Sequence, residues 1–323
     1  MIPRQMLVAL WLGLACLSSL TLAQRPTKIP AVGLLLTHAP TSDPVSEILR
    51  QSLRDLGYED GRNISLRIVS AEGQLNQLPA LAAELVDQGV DVIITSNELA
   101  TRAAQKATTK IPIVMTGWGY DPVSLGLIDD VRRPGGNTTG TYSSTADLEG
   151  KRLQVLKQAV PNVSYVAVLW DPAFGESALS DLRRAAKMLH VRLEFIELHS
   201  GDDLRSAFQT AKGKKVGAAL LVFSPIFYLH RDRVAALTLE TKLPTVSEYA
   251  AEYGTLMSYG PELGENMKRA VYYVDRLLKG AQPSELPVEQ LSKLKLIVNL
   301  RTAKALGIKI PEAILVRADE VIR

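Results

Sequence analysis

The stretch LPALAAELVDQGVDVIIT, residues 78–95, decides the fold. Leu75–Gln88 carries apolar residues at helical spacing and stops at Gly89. Val90–Thr95 (VDVIIT) then follows at once as a short apolar strand. A helix delivered through a glycine turn into a strand that reads as covered on both faces is the repeating half of a βαβ unit.

The same rhythm extends in both directions. Upstream, Ala31–Thr37 (AVGLLLT) reads as a buried strand, Pro44–Gly57 as a helix stopped by Gly57, and Asn63–Val69 as an alternating strand. Downstream come a helix from Glu98 to Ala107 and the strand Ile111–Thr116. The turn-rich RPGGN, residues 133–137, breaks the series before the strand-like Thr138–Tyr142. The pattern then restarts. Helix Leu148–Ala159, strand Tyr165–Trp170, helix Glu176–Leu189 and strand Val191–Leu198 are followed by a helix to Ala211 and by strand Gly217–Phe223. A helix over Tyr228–Lys242 and the short strand Pro244–Ser247 close the second series.

This periodicity predicts an α/β protein of two doubly wound parallel-sheet lobes. The last third, with strand Thr255–Tyr259, helix Pro261–Lys279 and strand Lys295–Asn299, is too small for a third domain and is expected to complete both sheets. The expected division is residues 24–143 with about 257–284 for lobe 1, and 144–256 with about 285–323 for lobe 2, so the chain crosses between lobes more than once.

The 323 residues, 46% of them hydrophobic, suit two cores. Residues 1–23 read as a signal peptide, with Arg4 as the positive start, an apolar run from Met6 to Leu22, and Thr21-Leu22-Ala23 as the small-residue cleavage site. Cleavage is favoured over a membrane anchor because the run is short for a bilayer and contains Gly13, Ser18 and Ser19. Lipoprotein anchoring at Cys16 is disfavoured, since the apolar run continues past it and Gly13-Leu14-Ala15 fits an acylation signal poorly. Cleavage leaves no cysteine, hence no disulfide, thiolate nucleophile or thiolate metal ligand. The formal charge of +3 falls to +2 once Arg4 is removed. That balance, with Lys212, Lys214 and Lys215 best explained as a helix C-terminal turn, argues against nucleic acid. The expected location is the periplasm.

Ligands of open α/β sheets sit beyond the carboxyl ends of the strands. The expected ligand-binding residues are therefore Thr37, His38, Ser96, Asn97, Trp118, Tyr120, Asp121, Asp171, Ser224, Glu248 and Tyr259. Ser96 and Asn97 stand at a helix start, where they either cap the helix or hold an anion with its free N–H groups. Trp118 and Tyr120 offer a stacking surface in a glycine-flanked loop, or pack the loop itself. Asp121 and Glu248 suit an ammonium group, although Asp121 before Pro122 is also a natural cap. The four histidines show no metal-ligand spacing, and only His38 faces the cleft. No G-x-G-x-x-G, G-x-x-x-x-G-K-[ST], H-E-x-x-H or G-x-S-x-G occurs. No catalytic residue, metal or cofactor is expected.

Read together, LRDLGYEDGRNISL (53–66), residues 78–95, DPVSLGL (121–127), RPGGNTTG (133–140), GKRLQVLKQAVPNVSYVAVLWDP (150–172), LMSYGPEL (256–263), LLKGAQPSELPVEQ (277–290) and LIVNLRTAKALGIKIPEAILVRADEVI (296–322) resemble the substrate-binding proteins of ABC transporters, whose best-known members bind aromatic amino acids such as tryptophan. The resemblance implies a type I periplasmic-binding-protein fold with three crossovers and hinge closure over a small molecule. It also implies a monomer that delivers an amino acid or aromatic compound to an inner-membrane ABC permease and its ATPase. Two segments depart from the family pattern. Ser96-Asn97-Glu98 replaces a small Gly/Thr-Pro-Ala-Ala segment, and Trp118-Gly119-Tyr120 replaces a small-residue run before DPV, so both add bulk or polarity at the pocket. A periplasmic sensor feeding a membrane receptor, or a secreted enzyme using the cleft, are the competing functions. A LacI-type repressor is excluded by the signal peptide standing where a helix-turn-helix is required.

Overall fold

The apolar runs become the middles of two sheets. In the computed structural model, which describes residues 29–118, 120–143, 148–173 and 176–323, strand β1 (Ala31–Leu36) buries Val32, Leu34, Leu35 and Leu36. The expected signal peptide lies outside the described residues. Helix α1 (Pro44–Asp55) starts where Asp43 accepts the Val45 N–H and Pro44 supplies a preset φ. Strand β2 (Ser65–Ser70), helix α2 (Leu78–Asp87), strand β3 (Val92–Thr95), helix α3 (Glu98–Ala107), strand β4 (Ile113–Trp118) and strand β5 (Thr138–Ser143) follow. Gly57 and Gly89 end α1 and α2 at φ +85° and +67°, which is why glycine serves as the stop there.

The second lobe runs through helix α4 (Leu148–Ala159), strand β6 (Tyr165–Trp170), helix α5 (Glu176–Met188), strand β7 (Arg192–Glu197), helix α6 (Leu204–Gly213) and strand β8 (Ala218–Leu221). The single helix expected over Tyr228–Lys242 is two, α7 (Pro225–Leu229) and α8 (Arg231–Thr241), joined at His230. Ser224 and Pro225 start the first of them a turn early. Strand β9 (Thr245–Ser247) and strand β10 (Met257–Pro261) complete the main run. Helix α9 (Leu263–Leu278) and strand β11 (Glu289–Gln290) then precede strand β12 (Leu294–Asn299), helix α10 (Leu300–Ala305), helix α11 (Glu312–Arg317) and strand β13 (Glu320–Ile322).

The sheet orders are β11-β5-β4-β3-β1-β2 and β13-β12-β10-β9-β8-β6-β7. Two α/β lobes are therefore present, the first sheet wholly parallel and the second with one antiparallel pair, β10 with β12. The chain passes between sheets three times, between residues 143 and 148, 261 and 263, and 290 and 294.

The expected lobe boundaries need correction at two points. Residues 257–261 belong to the second lobe, because Met257 and Ser258 pair with Val246 and Ser247 of β9. Residues 285–290 belong to the first, because β11 pairs with Thr141 and Tyr142 of β5. Helix α9 does return to lobe 1. Its Met267, Ala270, Val271 and Val274 pack on Leu49 and Leu53 of α1 and on Val32, Leu34 and Val114 of the sheet. The opposite face of that sheet is covered by α2 and α3 through Leu78, Ala82, Leu85, Ala100 and Ala104. In the second lobe α4 and α5 cover one face and α6 to α8 the other.

Candidate ligand site between the lobes

On the first lobe, Thr37, Ser96 and Asn97 form one hydrogen-bonded group beyond β1 and β3. The Thr37 N–H donates to Ser96 Oγ at 3.3 Å, and Asn97 Nδ2 donates to Thr37 Oγ1 at 2.8 Å. Asn97 also caps α3, its Oδ1 accepting the Ala100 N–H at 3.1 Å. The three expected residues are thus brought together, and Asn97 has both cap and neighbour to satisfy. His38 follows them and turns toward the second lobe, where the Asp171 charge reaches it. Burial lowers the His38 pKa and Asp171 opposes that shift.

On the second lobe, Asp171 follows β6 and is locked from two sides. Its Oδ1 accepts the Ala173 N–H and its Oδ2 accepts the Ser224 hydroxyl, each at 2.9 Å. Ser224 is also the cap of α7, accepting the Ile226 N–H. A small hollow of about 20 Å³ lies beside Ser224. Phe223, Phe227, Tyr228 and Tyr249 give it an aromatic wall, and Ser247, Glu248 and Arg231 give it polar groups.

Glu248 reaches that hollow already committed. Its Oε2 lies 3.4 Å from Nη2 of the fully buried Arg152, and its Oε1 accepts the Tyr249 hydroxyl at 2.9 Å. Arg152 also pairs with Glu149 and donates from Nε to the Tyr259 carbonyl at 2.7 Å. The expectation of Glu248 as a partner for a ligand ammonium is corrected accordingly: its charge is used inside the lobe. With two carboxylates sharing one guanidinium in a dry interior, burial pushes the Glu248 pKa up. Tyr259 contributes its carbonyl to Arg152, and its partly buried ring packs against the second-lobe core.

Tyr120 folds back over β4, its phenol lying where a Cβ on Gly117 would meet it at 3.0 Å. Burial pushes its pKa up, with Thr101 opposing. Asp121 is exposed and accepts the Val123 N–H at 2.9 Å at the start of a turn, with no helix following it for the expected cap. Trp118 ends β4 opposite Ser143, and its side chain lies outside the described residues.

Three residues at the cleft were absent from the sequence expectation. Asp43 of the first lobe accepts the Tyr228 hydroxyl at 2.8 Å and lies 3.8 Å from Arg231 Nη1, both of the second lobe. The Arg231 guanidinium stands 4.8 Å from the ring centres of Tyr228 and Tyr253. An Asp-Pro pair signals only a helix start, so nothing local marks Asp43 as an interlobe contact. Among the described residues no group of three or more His, Cys, Asp or Glu suits a metal ion, and no helix is long and apolar enough to cross a membrane.

A family model described as ABC transporter substrate binding protein matches residues 31–322. A tyrosine-binding protein of Clostridioides difficile is 25% identical over 278 residues, covering 85% of this chain and 79% of that relative. Among solved structures, a conserved domain protein of Vibrio cholerae has a TM-score of 0.79 at 24% identity, covering 91% of this chain and all of its own. An ABC domain of Streptococcus pneumonia in complex with L-Trp has a TM-score of 0.78 at 23% identity, covering 91% of this chain and 99% of its own.

Proposed function

We propose a function from one premise: the chain belongs to the family of ABC transporter substrate-binding proteins. It captures a small molecule between its lobes outside the cytoplasm, after cleavage of residues 1–23, and delivers it as a monomer to an ABC permease driven by a separate ATPase. The observation that carries this reading is the meeting of the two lobes beside the aromatic residues of the second, where Tyr228 and Arg231 reach Asp43 of the first. Contacts that join two lobes favour closure around a ligand held by both.

The ligand class we propose is an amino acid with an aromatic side chain. Four aromatic residues around the hollow give stacking and edge contacts for a ring. The Thr37–Ser96–Asn97 group across the cleft gives hydroxyl and amide contacts for the polar end. The tyrosine-binding relative and the L-Trp complex support the same class. Capture without turnover is part of the proposal, since Asp171 and Glu248 are held by Ser224, Ala173, Tyr249 and Arg152 and neither stands ready as a free base.

The test is thermal denaturation and calorimetry of residues 24–323 with the twenty amino acids. L-tyrosine or L-tryptophan at one hundred times its Kd is expected to add about 2.7 kcal/mol of stability. Ser96→Ala is expected to weaken that binding without unfolding the protein. Chemical conversion of either compound, or stabilisation by none of the twenty, overturns the reading.

A further inference from the structure

The contact between Asp43 and Tyr228 joins two groups that are each fixed by their own lobe. On the first-lobe side, Asp43 is buried and its Oδ1 accepts the Val45 N–H at 3.0 Å, so the carboxylate is set by the start of α1. On the second-lobe side, the Tyr228 ring meets Tyr249 edge-on with centres 6.2 Å apart. Arg231 stacks over Tyr228 and donates from Nη1 to its carbonyl at 2.9 Å. Neither partner has to leave a mobile surface conformation to form the bond, so little side-chain freedom is lost when the lobes meet.

The chemistry of the pair also suits a durable contact. Burial, with Asp43 adding to it, pushes the Tyr228 phenol well above its ordinary range, so the hydroxyl stays a donor. Its acceptor is a carboxylate backed by a helix N-terminus and by the Arg231 cation 3.8 Å away. Asp43 is not among the residues around the hollow.

We infer that Asp43 and Tyr228 are a positioning pair, an interlobe clasp that fixes the closed fraction of the protein and through it the ligand affinity. When only the closed form holds a ligand tightly, the apparent Kd is the intrinsic value divided by the closed fraction. A charge-assisted hydrogen bond of this kind shifts such an equilibrium about tenfold. The clasp acts on the release rate, because a ligand leaves only after the lobes part. Its link to affinity rests on the capture function proposed above; its effect on closure does not.

Two substitutions separate the clasp from the fold. Asp43→Ser keeps a good helix cap but is too short to reach Tyr228. Tyr228→Phe removes one oxygen and keeps the ring on Tyr249 and Arg231. Small-angle X-ray scattering of residues 24–323 with no added ligand is expected to give a larger radius of gyration for each variant than for the wild type. The double variant is expected to open no further than Asp43→Ser alone, which already removes the Tyr228 bond together with the Arg231 contact, the non-additivity of two residues acting through one bond. With L-tyrosine as probe, each variant is expected to release it about tenfold faster at an unchanged association rate. A radius of gyration equal in wild type and variants, or additive opening in the double variant, overturns the clasp. If L-tyrosine fails to bind the wild type, the ligand assignment falls while scattering alone decides the clasp.

Discussion

Arg152 and Glu248 face each other at 3.4 Å in the interior of the second lobe, with side chains 0% and 4% exposed. Glu149 shares the same guanidinium from one turn away on α4. A buried cation so placed holds two acidic side chains and the middle of β10 together, and removing it strands both carboxylates without water. Arg152→Met is therefore expected to cost about 3–5 kcal/mol in denaturant-induced unfolding. Combining it with Glu149→Gln and Glu248→Gln should restore more than half of that loss. A triple variant no more stable than Arg152→Met would show that the arginine matters for its packing and not for its charge.

His38 gives the cleft a pH response of known sign. Its pKa lies below the ordinary 6.5 because burial disfavours the imidazolium more than Asp171 favours it. The fold thus prefers the neutral ring, so the contribution is complete above 6.5 and is lost as the pH falls through the lowered value. The stability of the wild type relative to His38→Gln is expected to decline as the pH falls below 6.5. Urea midpoints at several pH values measure it, and a difference that grows with acidity would reverse the assignment.

Asn97 has two separable duties. Asn97→Ala removes both the cap of α3 and the bond to Thr37, and is expected to cost about 1–2 kcal/mol. Asn97→Ser keeps a cap and loses only the reach to Thr37, so it should cost about half as much. Equal losses in thermal unfolding would mean that the Thr37 contact, and not the cap, carries the stability.

Gly140 lies in β5 at φ +128°, and a Cβ there would stand 2.2 Å from the Met115 carbonyl oxygen of β4. Main chain cannot yield as a side-chain tip can. Gly140→Ala is expected to destabilise the protein by more than about 3 kcal/mol, seen as loss of soluble yield or a collapsed denaturation midpoint. Gly213→Ala, with nothing within 4 Å and a helical position, is the control and should be neutral or stabilising. A stable, soluble Gly140→Ala protein would contradict the packing of β4 against β5.

Repetition made the architecture readable. Each of these buried strands is nearly all apolar, so β1, β3, β6 and β8 stand where their apolar runs lie. The boundaries were less readable because β10 and β11 are short and mixed in character, and pairing rather than composition assigns them. Thr37, Ser96, Asn97, Asp171 and Ser224 stand just beyond strand ends, where the sequence rule looks for a ligand. The pairing of Glu248 with Arg152 was not readable, because Arg152 comes from a helix distant in sequence. Asp43 and Tyr228 are 185 residues apart, and no local pattern joins them.

The return of α9 to the first sheet has a consequence for how the protein is made. Until Met267, Ala270, Val271 and Val274 leave the ribosome, the apolar faces of α1 and β1 have no cover on that side. At bacterial elongation rates, the roughly 120 residues between the end of β5 and the start of α9 take about 6–24 s to synthesise. For that interval the nascent first lobe is a sticky intermediate without a finished native state. A chain so arranged stays loose long enough for chaperones to act on it before it locks.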